Sequence, residues 1–111
     1  MPAEFTVILE TPDGAHTISC GADEYVWNAA ARSGIRLPAI CHQGRCLTCT
    51  GRLLSGDVDQ ADADLYFPQD RAAGFILLCT AKPRSELRIQ THQQWEMRRH
   101  REALNLPAPY G

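Results

Sequence analysis

The chain of 111 residues weighs 12.3 kDa, enough for one ordinary domain and too little for two, which excludes a self-contained multidomain oxidoreductase. Its 44% apolar and 22% charged residues are those of a soluble globular protein, and no run approaches the ~18 apolar residues that a membrane span needs. Eleven Lys and Arg against 13 Asp and Glu give a net charge of -2, too weak for a polyanion-binding protein, so nucleic acid is not an expected partner.

Phe5, Val7 and Leu9 alternate with Thr6, Ile8 and Glu10, a period of two that predicts a strand. Pro12-Asp13-Gly14 has turn chemistry, and His16 to Cys20 resumes extended character, so the two segments predict a hairpin. Ala22 to Ser33 predicts a short helix with Asp23 and Glu24 in its first turn, Val26, Ala29 and Ala30 at helical spacing, and Gly34 as a left-handed stop. Leu37 to Ile40 leads into a cysteine-bearing loop, Cys41 to Cys49, and Arg52 to Leu54 predicts a brief strand. Asp57, Asp59, Asp62, Asp64 and Asp70 follow with no base among them, the pattern of a solvated acidic face that can also steer a partner. Gly74 to Cys79 is an apolar run expected to be buried, and Leu87 to Thr91 alternates as a final strand. Gln93 to Leu104 has helical composition, with Trp95 expected to pack against the domain and Arg98, Arg99 and Arg101 expected on a solvated basic helix; Pro107 to Tyr110 ends it. Residues 92–111 carry three Arg and two Glu, a formal +1 that opposes the -3 of the first 91 residues.

Five cysteines, an odd number, argue against a purely disulfide framework and for a metal site. The segment Met1 to Phe5 lacks a basic stretch followed by an apolar core, so a reducing cytoplasm is the expected compartment. Cys41, Cys46 and Cys49 are separated by four and two residues, and Cys79 lies beyond a further 29. This is the spacing C-x4-C-x2-C with a distant fourth Cys, in which one loop delivers three thiolates and another segment the fourth to a 2Fe-2S cluster. Structural zinc on the same four thiolates is the competing reading; it normally uses two separated Cys-x-x-Cys pairs, and only Cys46 and Cys49 form one. A thioredoxin-like role for that pair would need it to open a helix after a strand, whereas it sits in a loop beside a third thiol. Cys20, at a strand end, reads as a small core hydrophobe, and His42 as a solvated loop residue rather than a Rieske-type ligand.

Three segments, Leu37 to Gly51, Gly56 to Gln60 and Gly74 to Leu87, resemble the plant-type ferredoxins of cyanobacteria and chloroplasts, and the likeness extends from residue 4 to about 98. The resemblance implies an α+β, β-grasp fold over residues 1–98, followed by a carboxyl-terminal extension, 99–111, that is helical and then extended. It implies one 2Fe-2S cluster per chain held by Cys41, Cys46, Cys49 and Cys79, with backbone N-H groups between Ile40 and Thr48 bonding the sulfurs. The function it implies is that of a monomeric one-electron carrier, not an enzyme, that meets redox enzymes transiently, such as a ferredoxin reductase or a ferredoxin-dependent enzyme. An interaction or redox-sensing protein that uses the extension to hold one stable partner is the alternative.

Departures from the family pattern bear on partners and potential. Ile40 and His42 stand where many members have Ser and Arg, which leaves fewer side-chain donors near the sulfurs. Leu65, Phe67-Pro68-Gln69 and Gln94 replace the aromatic, acidic and carboxylate positions with which photosynthetic members dock an NADP reductase, so a different partner set is expected.

Overall fold

The computed structural model describes residues 4–38 and 47–108. Strand β1 (Glu4–Thr11) turns back through Pro12 and Asp13 into β2 (Gly14–Gly21), with Gly14 at a φ of 122° that a residue bearing a Cβ would resist. Helix α1 (Val26–Arg32) is followed by β3 (Thr50–Ser55), the short β4 (Val58–Asp59) and helix α2 (Pro68–Ala72). Then come β5 (Phe75–Leu77), β6 (Lys82–Pro83), β7 (Leu87–Gln90) and helix α3 (Gln94–Ala103).

Five strands form a mixed sheet in the order β2-β1-β7-β3-β5, while β4 and β6 pair separately. β1 runs parallel to β7, with Val7 opposite Leu87 and Leu9 opposite Ile89; the other pairs are antiparallel. The alternation read from the sequence puts Val7, Leu9, Ile18, Cys20, Leu87 and Ile89 on one face, where they meet Val26, Ala29 and Ala30 of α1. Each large aliphatic side chain so buried contributes roughly 1.5–3 kcal/mol. A sheet of this order with a helix across it is the β-grasp architecture that the resemblance implies.

Helix α1 begins at Val26, four residues later than its composition predicts. Asp23 and Glu24 belong instead to a turn after β2, where Glu24 N-H bonds Gly21 O and the Glu24 carboxylate accepts Gly21 N-H. Arg32, one helix length away, pairs with that same carboxylate at 2.7 Å. The helix stops as expected, with Gly34 in the left-handed region at φ 82°.

The acidic stretch is not a bare anionic face. Asp57 pairs with Arg71, Asp59 with Arg84 and Asp62 with Lys82, bases that lie outside the stretch in sequence and beside it in space. Asp70 is fully buried. It sits in the first turn of α2, a helix the sequence reading omitted, and accepts Phe67 N-H at 2.9 Å.

The partner of Asp70 corrects a second expectation. Arg101 is not solvated: it is fully buried, 2.8 Å from the Asp70 carboxylate, and donates to Leu65 O and Pro107 O, with Phe67's ring 4.9 Å from its guanidinium carbon. The expected domain boundary between residues 98 and 99 therefore falls inside α3, whose last turns are fastened to α2. Within this segment Met97 is fully buried, whereas Trp95, expected to pack against the domain, is 53% exposed and Leu104 47% exposed. The 3.6-residue repeat turns Met97 and Arg101 inward together, and a long cation with five donors can be buried when each finds an acceptor.

Among the described residues, removing the cation alone leaves Asp70 buried beside His100 and the Phe67 N-H. Arg101→Met should therefore cost about 3–5 kcal/mol in denaturant unfolding, and Asp70→Leu combined with Arg101→Met should recover part of that loss. A cost below ~1 kcal/mol would show that the pair contributes no more than an exposed one.

Candidate metal centre

Of the four cysteines expected to bind metal, Cys49 and Cys79 are described, and Cys41 and Cys46, with Ile40, His42 and Gly44, lie outside the described residues. Thirty positions apart in sequence, the sulfurs of Cys49 and Cys79 are 3.1 Å apart, and the two residues are 1% and 3% exposed. Cys49 ends a turn leading into β3, and Cys79 lies in the turn that follows β5. These two strands are antiparallel neighbours, with Thr50 opposite Leu77, which is why the cysteines just outside the ladder meet.

Backbone bonds tie the surroundings of the pair together. Leu78 N-H donates to Cys49 O at 3.1 Å, tying one cysteine turn to the other. Val26 N-H and Trp27 N-H, two donors that the start of α1 leaves free, go to Ala81 O at 2.9 Å and Leu78 O at 3.0 Å, so the helix end grips the Cys79 turn. On the other side Thr50 N-H and Oγ1 both bond Leu47 O, and Gln93 N-H, just before α3, bonds Thr50 O at 3.0 Å. Gly51 permits this packing: a Cβ there would lie 2.9 Å from Ile89 and 3.3 Å from Leu78. Trp27 Nε1-H bonds Leu37 O at 2.8 Å, so the chain is held on both sides of the segment 39–46.

A polar group borders Cys79. Tyr25 O-H donates to Asp62 at 2.6 Å, and Lys82 lies 3.1 Å from the same carboxylate and 5.4 Å from the Tyr25 ring. The hydrogen bond to Asp62 raises the phenol's pKa, while the Tyr25 hydroxyl and then Lys82 hold the Asp62 carboxyl below its usual range.

Two adjacent buried thiols fit a thiophilic metal. A tetrahedral centre with metal–thiolate bonds of about 2.3 Å holds two sulfurs about 3.7 Å apart, a separation that small side-chain rotations reach from 3.1 Å. Cys20 has no such place. It is fully buried under the hairpin, bonds Glu24 O at 3.4 Å, and burial pushes its thiol up to about 12. The residue that sequence reasoning missed is Gln60, buried beside Leu77 and Thr80; an isolated amide between aspartates carries no signal of its burial.

Comparison with known proteins agrees with this geometry. Residues 10–84 match the family described as the 2Fe-2S iron-sulfur cluster binding domain. The chain is 43% identical over 83 residues to ferredoxin-2 of a Synechococcus species, covering 75% of this chain and 79% of that one. Among solved structures, pectocin M2 superposes with a TM-score of 0.76 at 30% identity, over 82% of this chain and 33% of that one. The ferredoxin reductase in carbazole 1,9a-dioxygenase superposes at 0.69 and 28% identity, over 83% and 29% respectively, so the chain spans about a third of each of these structures.

Cys20 gives a direct check on the ligand set. Cys20→Ala should leave the visible spectrum intact at a cost of about 1 kcal/mol. Between its ordinary value of 9.0 and the folded value of about 12, the unfolded chain ionises this thiol while the folded chain keeps the proton, so stability falls as pH rises through that window. The variant should show a shallower alkaline decline; a bleached spectrum would instead make Cys20 a ligand.

Proposed function

Because the chain belongs to the 2Fe-2S iron-sulfur cluster binding family and is an electron carrier rather than an enzyme, we propose that Cys41, Cys46, Cys49 and Cys79 are the ligands of its cluster. The observation that carries this reading is the 3.1 Å approach of Cys49 and Cys79. Two sulfurs so close suit one iron, and since each iron takes two protein thiolates, Cys41 and Cys46 are left for the other. When bound, the group supplies a site that gains and loses a single electron. The chain's own part is to supply four thiolates and keep water from two of them with the buried side chains of Leu47, Leu77 and Leu78. It also fixes the cysteine turns by backbone bonds, so the thiolates are held in place before charge arrives.

Partners of such a carrier are redox enzymes, met transiently by a monomer. No helix among the described residues is long and apolar enough to cross a membrane, and a cytoplasmic site suits a chain with an unpaired buried thiol at Cys20. The partner set differs from that of photosynthetic ferredoxin. Leu65 and Phe67 are engaged by Arg101, through the Leu65 carbonyl and the Phe67 ring, and Gln94 offers no charge. A reductase or oxygenase component of the kind represented by the carbazole dioxygenase reductase is the fitting class.

Two measurements test this. The iron-loaded protein should contain about two irons and two labile sulfides per chain and lose its colour on Cys49→Ser or Cys79→Ser, whereas one zinc without sulfide would refute the assignment. Electron transfer to a photosynthetic-type NADP reductase at low salt should be at least about tenfold slower than that of a photosynthetic ferredoxin; equal rates would contradict the altered partner set.

A further inference from the structure

We propose that Gln60 is a positioning residue for Cys79. Among the described residues, strand β5 is an edge strand, paired with β3 alone within its sheet. Successive N-H groups of a strand point to opposite sides, so with Leu78 N-H directed at Cys49 O, that of Leu77 points outward to the open edge. There the Gln60 side chain stands in for a neighbouring strand's peptide group. Its Oε1 accepts Leu77 N-H at 2.6 Å and its Nε2 donates to Leu77 O at 3.3 Å. The Leu77 N-H can only donate and its carbonyl only accept, so the amide has one orientation that satisfies both.

The same Nε2 lies 3.4 Å from Thr80 Oγ1. Thr80 N-H in turn bonds Leu77 O at 3.1 Å, which closes a four-residue turn, Leu77 to Thr80, with Cys79 at its third position. One buried amide therefore touches both ends of the turn that presents Cys79. The turn is also tied by Thr80 Oγ1 to Leu77 O at 3.4 Å, by Leu78 N-H to Cys49 O and by Trp27 N-H to Leu78 O, but Gln60 is the side chain that holds the outward edge of Leu77, and a change of the turn's shape moves the Cys79 sulfur relative to Cys49. Gln60 is itself fixed by its neighbours: it is 7% exposed and follows Val58 and Asp59 of β4, which pair with Pro83 and Lys82 on the far side of the turn. The inference rests on the reading of Cys49 and Cys79 as ligands of one iron.

The test uses the iron-loaded protein and three variants. Gln60→Leu removes the amide at nearly constant volume. Gln60→Glu keeps an oxygen for Leu77 N-H. Ile18→Ala weakens the core from β2, at the opposite edge of the sheet. Iron release to a chelator is timed for each protein at the same interval below its own melting temperature, and the reduced proteins are compared by electron paramagnetic resonance. Gln60→Leu should release iron about tenfold faster than the parent and show a shifted resonance, with Gln60→Glu intermediate and Ile18→Ala parental on both counts. If Gln60→Leu does not fold, Gln60→Glu against Ile18→Ala decides the same question. Equal release rates and an unchanged resonance in the Gln60 variants would overturn the proposal and make Gln60 a fold stabiliser only. Retention of the parental cluster by Cys79→Ala would instead overturn the ligand reading, whichever way the Gln60 variants behave.

Discussion

A single backbone hydrogen bond, Leu78 N-H to Cys49 O, joins two turns that lie 30 residues apart in sequence and brings Cys49 and Cys79 together. Much of the fold serves to keep that bond short. β3 and β5 carry the turns as neighbouring strands, and the first two N-H groups of α1 hold the Cys79 turn from one side. Gln60 closes the edge of β5 from the other. None of these contacts uses an ionisable group. A frame of paired backbone groups in a low-dielectric interior suits an electron carrier, because little needs to reorganise when one charge arrives.

The carboxyl-terminal helix belongs to the same construction. Gln93 N-H reaches Thr50 O, the residue after Cys49, and Arg101 locks the far end of the helix to Asp70. A buried ion pair of this kind is weak evidence for net stability, since two charges must leave water, but it is specific: Arg101 meets the Asp70 carboxylate, Leu65 O and Pro107 O together. The formal +1 of the segment is thus spent partly inside the molecule. What α3 leaves to solvent is the side bearing Trp95, Arg99 and Glu102, a mixed surface without a dominant sign.

Strands, hairpin and the final alternating segment were legible because period-two patterning and Pro-Asp-Gly turn chemistry are local signals. The 2Fe-2S cluster was legible because cysteine spacing reflects how a chain wraps around a small cluster. Asp70, Arg101 and Gln60 were not, since each looks like an ordinary surface residue until its partner, 31 positions away for Asp70 and 17 for Gln60, is brought beside it. The acidic stretch misled for the same reason: its bases, Arg71, Lys82 and Arg84, come later in the chain. Helix α1 was read too long because Asp23 and Glu24 favour a helix's first turn and equally favour the turn that precedes it.

Which iron each cysteine binds decides whether Cys49 and Cys79 form the pair on one metal. A crystal structure of the loaded protein, with the metal positions fixed by anomalous scattering at the iron edge, measures this directly. Cys49 Sγ and Cys79 Sγ should lie about 2.3 Å from the same iron, with Leu78 N-H still bonded to Cys49 O. Finding the two sulfurs on different irons, or Cys79 away from both, would contradict that pairing.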